Sequence, residues 1–218
     1  MAPAAAVARP VARRVAWVEI AALALLLLSY IWLWQGSFRG SGVAVVALYF
    51  GIGLESHLRR GETPRQVGIR LDNLGTAVLT VLRWVGPLIV GIGVLGALLG
   101  TWHLPHRAPL IAGWDVVWGT AQQYGLLCVF YRRLCEVLPG RGSAEAASGL
   151  LFALFHLPNP FLTAVALPLG ILACCLYRHV DNLFALGAAH GALAFTLAYA
   201  LPWSVTFMMR VGPRMPWP

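Results

Sequence analysis

Lysine is absent from this chain, and charge of either sign is scarce. Its 218 residues hold 16 arginines and eight acidic residues, 11% charged in all. A soluble domain carries roughly 25% charged residues. That shortage excludes a surface that faces water on all sides. Cysteine is also sparse, at four, which excludes a disulfide scaffold. No internal repeat, low-complexity tract or second composition zone is visible, so one integral membrane domain over residues 1–218 is expected. What is abundant is apolar: 59% hydrophobic residues and a mean hydropathy of +0.74. These values predict an all-α, polytopic transmembrane bundle.

Cutting the apolar runs at charges and at Gly/Pro breaks gives about seven spans. They are 15–34, 43–58, 76–100, 114–131, 146–160, 162–177 and 183–203. Each approaches the ~20 residues that a bilayer core requires. The first run is too long for a signal peptide and lacks a clean cleavage site, so an uncleaved anchor is expected. The polar stretch 61–73 is expected on the inner surface.

The arginines orient the bundle. With the N-terminus in the cytoplasm, Arg9, Arg13, Arg14, Arg59, Arg60, Arg65, Arg70, Arg132, Arg133, Arg141 and Arg178 fall on inner segments. Only Arg39, Arg107, Arg210 and Arg214 fall outside, and Arg83 lies within a span. The positive-inside rule is obeyed by eleven to four. The basic balance therefore predicts contact with anionic membrane lipid. Nucleic-acid binding needs a clustered basic face, and none is visible. Trp32, Trp34, Trp102, Trp114 and Trp203 fall at outer ends, as an aromatic belt does.

Polar residues at bilayer depth are expensive and are candidates for function. Gln122, Gln123, His156 and His190 stand out. Gln123 lies nine residues before Arg132, His156 eleven after Glu145, and His190 nine after Asp181. At ~1.5 Å per residue these depths are all about 13–17 Å from the inner boundary. One polar layer shared by three spans predicts a common cavity. Asp115, beside Trp114, is expected to be an interfacial carboxylate. Glu19 and Glu55 are expected to reach water, and Cys174 and Cys175 to pack as small apolar groups. Small residues around His190, among them Gly187 and Gly191, permit close helix approach.

These residues resemble a family. Phe152-Ala153-Leu154-Phe155-His156 matches the F-x-x-x-H motif of the CPBP (CAAX protease and bacteriocin-processing, ABI) intramembrane proteases. His190 follows His156 by 34 residues, where that family carries a further histidine. Tyr131-Arg132-Arg133-Leu134, Leu169-Gly170, Leu176-Tyr177-Arg178 and Asp181-Asn182-Leu183 are similar to its linking pattern, with a weaker echo at Val67-Gly68-Ile69-Arg70-Leu71. The resemblance covers a core of about 114–195.

It implies an intramembrane endopeptidase acting on a membrane-tethered peptide or protein, in a bacterial inner (plasma) membrane. It also implies His156, His190, Gln122 and Gln123 as the catalytic positions. Gln122 and Gln123 occupy the places of the family's paired glutamates, Leu127 that of its arginine, and Ala194 that of a frequent asparagine. A register through Glu136 and Arg141 leaves only twenty residues before His156 and puts the carboxylate at the membrane surface. A glutamine amide cannot take a proton from water, so a histidine must serve as base. The alternative is an inactive pseudo-protease that serves as a membrane binding or maturation partner. No cofactor is expected, and a metal held by His156 and His190 is not favoured, because catalytic zinc has three protein ligands.

The orientation has a direct test. Cysteines introduced at Ser143 and Ser204 should be labelled by an impermeant maleimide from opposite faces of the membrane. Labelling of both from one face contradicts this topology.

Overall fold

A computed structural model describes residues 10–35, 37 and 40–213. Arg9, Arg39 and Arg214 lie outside the described residues. Helices α1 (Pro10–Ser29), α2 (Ser41–Arg59), α3 (Leu74–Leu98), α4 (Ala108–Gln123), α5 (Arg132–Val137), α6 (Arg141–Leu154), α7 (Pro160–Val180), α8 (Leu183–Ala200) and α9 (Trp203–Thr206) follow in order. No strand occurs among the described residues. Short π-helical stretches extend α1 over Tyr30–Trp34 and join α4 to α5 over Tyr124–Tyr131.

The described helices run between two ends. One end gathers the start of α1, the 60–73 loop and the α5–α6 and α7–α8 corners. Arg13 there donates to the Val137 carbonyl at 2.8 Å, and Leu183 N donates to the Gly68 carbonyl at 2.8 Å. The other end joins residues 101–103 to the end of α8, and the Leu157 carbonyl to Gly212 N at 3.0 Å. Five passes are long and apolar enough to cross a membrane: Ala12–Trp34, α2, α3, α7 and α8. The expected span 114–131 lies within a continuous helical run from Ala108 to Val137. The expected span 146–160 is different: α6 stops at Leu154 after 14 residues. Pro158 and Pro160 forbid its continuation, and residues 155–159 form a corner.

Capping sets the starts of α7 and α8. The Asn159 side chain accepts from Leu162 N and the Asn182 side chain from Ala185 N, each at 2.9 Å, which satisfies an otherwise orphaned donor. The π-helical stretch forms the centre of the bundle, and all eight of its residues are buried. It packs against α2, α6, α7 and α8, and α4 packs along α8. The outward faces are apolar: Leu98 is 80% exposed, Val43 75% and Trp84 61%. In water such faces are a liability, whereas in lipid they are the required surface.

The arginine-rich end is largely neutralised. Arg133, fully buried, donates to Glu62 and to Glu136. Arg132 donates to Glu62 and, at 3.0 Å, to the Gln66 carbonyl. Arg60 bridges Glu19 at 3.0 Å and Glu136 at 3.1 Å. His57 Nδ1 donates to Glu62 Oε2 at 2.7 Å. Three guanidiniums thus meet three carboxylates. Glu19, expected in water, is instead a half-buried partner of Arg60, while Glu55 is exposed beside Arg59. The 61–73 segment is a loop of turns, and it docks beneath α7 and α8. Asn182 Nδ2 donates to the Arg70 carbonyl at 2.9 Å and to Asn73 Oδ1 at 2.8 Å. Gly68 has φ of +79°, and a Cβ there would meet the Tyr177 ring at 2.8 Å.

Burial alone raises the Glu62 pKa, but hydrogen bonds from His57, Arg133 and Arg132 outweigh it and hold the carboxyl well below the usual range. A depressed pKa stabilises the fold above the unfolded carboxylate value of ~4.3, and that contribution drains away as pH falls below it. Glu62→Gln leaves Arg133 without a full counter-charge and should lower stability by about 3 kcal/mol. Thermal unfolding in detergent from pH 7 to pH 3 checks both points, since the gap between the two proteins should narrow at low pH.

Candidate functional site

Three glycines decide where α4 meets α8. A Cβ on Gly119 would stand 2.8 Å from Gly191 N and 3.0 Å from the His190 ring. One on Gly187 would stand 2.6 Å from Thr120 Cα, and one on Gly191 2.5 Å from Val116 Cα. Each of the three would strike backbone atoms of the facing helix, so no side-chain adjustment alone can admit the extra carbon. Gly187 and Gly191, four residues apart, share one face of α8 and admit α4 as small-xxx-small faces do. The approach carries His190 against α4. Gln123, one helical turn beyond Gly119, then reaches it: Gln123 Nε2 lies 2.8 Å from His190 Nδ1.

The hydrogen bonds assign each ring its protons. In this orientation the Gln123 amide N–H donates to His190 Nδ1 and leaves the ring proton to Nε2, whereas the opposite amide orientation, with Oε1 toward Nδ1, reverses the assignment. His156 has a different partner. Its Nδ1 lies 2.6 Å from the Phe152 carbonyl, which can only accept. Nδ1 therefore holds the proton, and Nε2 keeps a lone pair. The Phe152 ring stands edge-on to both imidazoles, 4.7 Å from His156 and 5.8 Å from His190 between centroids. Phe152 thus both accepts from His156 through its backbone and spaces the two histidines through its ring.

A cavity of about 710 Å³ is lined by Gln122, Gln123, His156 and His190. The shared depth of these residues in sequence corresponds to a shared cavity in space. His156 reaches it from the corner after α6 rather than from within a span. Gln123 is buried and bonds His190, and its Oε1 has no hydrogen-bond partner. Gln122 lines the cavity with no hydrogen-bond partner among the described residues. Leu127 and Cys174 are fully buried in the apolar core, and Ala194 lines the cavity. Glu136 lies at the arginine-rich end, paired with Arg133 and Arg60. No group of three His, Cys, Asp or Glu side chains among the described residues is placed to hold a metal ion.

Two features were outside the sequence reading. Asp115, read as an interfacial carboxylate, is half-buried and also lines the same cavity. Its spacing of seven residues from Gln122 was the available signal, since i and i+7 share a helix face. The positioning role of Phe152 had no signal beyond the F-x-x-x-H motif itself.

Residues 125–196 match the family model of the type II CAAX prenyl endopeptidase Rce1-like proteins. The match covers the F-x-x-x-H motif and His190, and it agrees with the CPBP resemblance of the sequence. It begins just after Gln122 and Gln123, where the chain departs from the family's glutamates. The helical membrane character and this Rce1-like segment together relate the chain to intramembrane proteases. No curated protein and no protein of solved structure matches the chain.

The glycine contacts and the tautomers are tested together. ¹⁵N-histidine spectra should show an Nδ1-protonated His156 and an Nε2-protonated His190. Gly191→Val must force α8 from α4. It should abolish the His190 pattern, leave that of His156, and cost about 1–3 kcal/mol of stability.

Proposed function

We propose that the chain is an intramembrane endopeptidase of the CPBP/CAAX protease type that cleaves a membrane-tethered peptide or protein. Its setting in this reading is a bacterial inner membrane, with the N-terminus cytoplasmic. The observation that carries the reading is the two histidines on one cavity, His190 bonded to Gln123 and His156 to the Phe152 carbonyl. A base needs a lone pair and an oxyanion needs a donor; His156 Nε2 and His190 Nε2–H supply one each.

In this mechanism His156 Nε2 takes a proton from water as the oxygen attacks the scissile carbonyl carbon. The π electrons of the carbonyl move to its oxygen, which accepts from His190 Nε2–H, while the Gln122 amide oxygen holds the attacking water. The Phe152 carbonyl, bonded to His156 Nδ1–H, steadies the imidazolium. As the tetrahedral centre collapses, the C–N bond breaks. His156 Nε2–H then passes its proton to the departing amine, leaving a carboxylic acid and an amine. Gln123 acts as a positioning residue, since its N–H fixes the tautomer of His190. No metal or cofactor is invoked. Membrane lipid and the tethered substrate are the partners.

Gln122 and Gln123 favour a second reading, because no carboxylate stands where the family places its base. In that reading the scaffold persists as an inactive pseudo-protease with a binding or maturation role.

Cleavage of a panel of membrane-tethered peptides separates the two. Wild-type cleavage should fall about 10²–10⁴-fold in His156→Ala, the range of a general base, and should rise in Gln122→Glu. Cleavage that survives His156→Ala overturns the assignment of the base. Cleavage seen only in Gln122→Glu establishes the pseudo-protease.

A further inference from the structure

The same cavity carries one formal charge, and the mechanism above does not use it. Asp115 is the single acidic or basic side chain, histidines apart, among the described residues that line it. Asp115 makes no hydrogen bond and no ion pair among the described residues. This contrasts with the arginine-rich end, where Glu19, Glu62 and Glu136 all have guanidinium partners. Asp115 is half-buried, and a carboxylate that faces a largely apolar cavity with no partner of its own gains from a cation brought by a ligand. Its surroundings suit that ligand. Trp118, one turn along α4, lines the cavity together with Tyr199 and Trp203. Aromatic faces attract cations.

The position is set by the same helix crossing. The Asp115 backbone packs on Gly191, the residue after His190, where a Cβ would meet its carbonyl oxygen at 2.6 Å. Along α4, Asp115 lies seven residues before Gln122, or about 10 Å at ~1.5 Å per residue. An extended peptide covers that distance in about three residues.

We propose that Asp115, with Trp118, Tyr199 and Trp203, forms a subsite that recognises a basic side chain of the peptide substrate, about three residues from the scissile bond. The proposal rests on the reading of the cavity as a peptide-binding site. It adds the substrate chemistry: an apolar, membrane-tethered peptide bearing a lysine or arginine. The subsite gives affinity and register, and no bond is made or broken there.

Binding is measured apart from cleavage. N-acylated hydrophobic hexapeptides carry lysine, norleucine or glutamate at one position, scanned along the chain, and report through quenching of tryptophan fluorescence in detergent. Cleavage of the same peptides is followed by mass spectrometry. Wild type should bind the best lysine peptide about tenfold more tightly than its norleucine counterpart, as one charge-assisted hydrogen bond implies. Asp115→Asn should bring that ratio close to one, and Asp115→Glu should retain the preference. A lysine preference that persists in Asp115→Asn, a wild type with no preference, or no binding of any peptide overturns the subsite. Lysine-selective binding without cleavage supports the subsite and tells against the protease reading. Cleavage without lysine preference does the opposite.

Discussion

The His190 half of the candidate site depends on how closely two backbones approach. At Gly119, Gly187 and Gly191 the α4 and α8 main chains touch, and a single methyl group at any of the three would strike backbone atoms. In lipid, apolar side chains gain little by leaving the solvent, so helices associate through such contacts and through interhelical hydrogen bonds. The crossing supplies both. It brings van der Waals contact along the glycines, and at one end it lets Gln123 bond His190. A longer separation would leave two buried polar groups unpartnered, each costing about 1–3 kcal/mol. The polar layer and the glycine seam are therefore one structure.

The arginine-rich end does different work. Its arginines count toward orientation, and Arg60, Arg132 and Arg133 also pair with carboxylates. They tie α1, α2, the 61–73 loop and the α4–α5 run into one polar plate below the apolar layer. Removing one member of such a network leaves its partner buried and charged, which explains why these pairs are fragile to mutation even where their net contribution is modest. Above the plate, the eight buried residues of the π-helical stretch fill the centre.

Replacing paired glutamates by paired glutamines changes what a family-like cavity can do. A glutamate beside two histidines can hold negative charge and take protons. Glutamine can only fix hydrogen-bond directions, and Gln123 does so for His190. In the proposed mechanism the proton chemistry rests on His156, whose Nδ1 faces the Phe152 carbonyl and whose Nε2 is left with its lone pair. This is the division between ring nitrogens that general-base histidines use. Asp115, farther along the same helix face, keeps a negative charge in the cavity but stands about two turns from the glutamines. It is suited to hold a cation and not to activate the water.

The sequence by itself determined the solvent in which the chain folds, the helical class, the apolar spans and the polar residues worth watching. Each of these follows from composition, charge placement and spacing along one strand of chain. The F-x-x-x-H motif and His190 were legible for the same reason. Only the tertiary structure decided which glutamine meets which histidine, because Gly119 and Gly191 are 72 residues apart in the chain and a small-residue pattern does not name its partner helix. It also decided that α6 ends at Leu154 and delivers His156 from a corner, and that Asp115 faces the cavity. The tautomers belong to this second group. A ring nitrogen is a donor or an acceptor according to the atom opposite it, and that atom is fixed by packing.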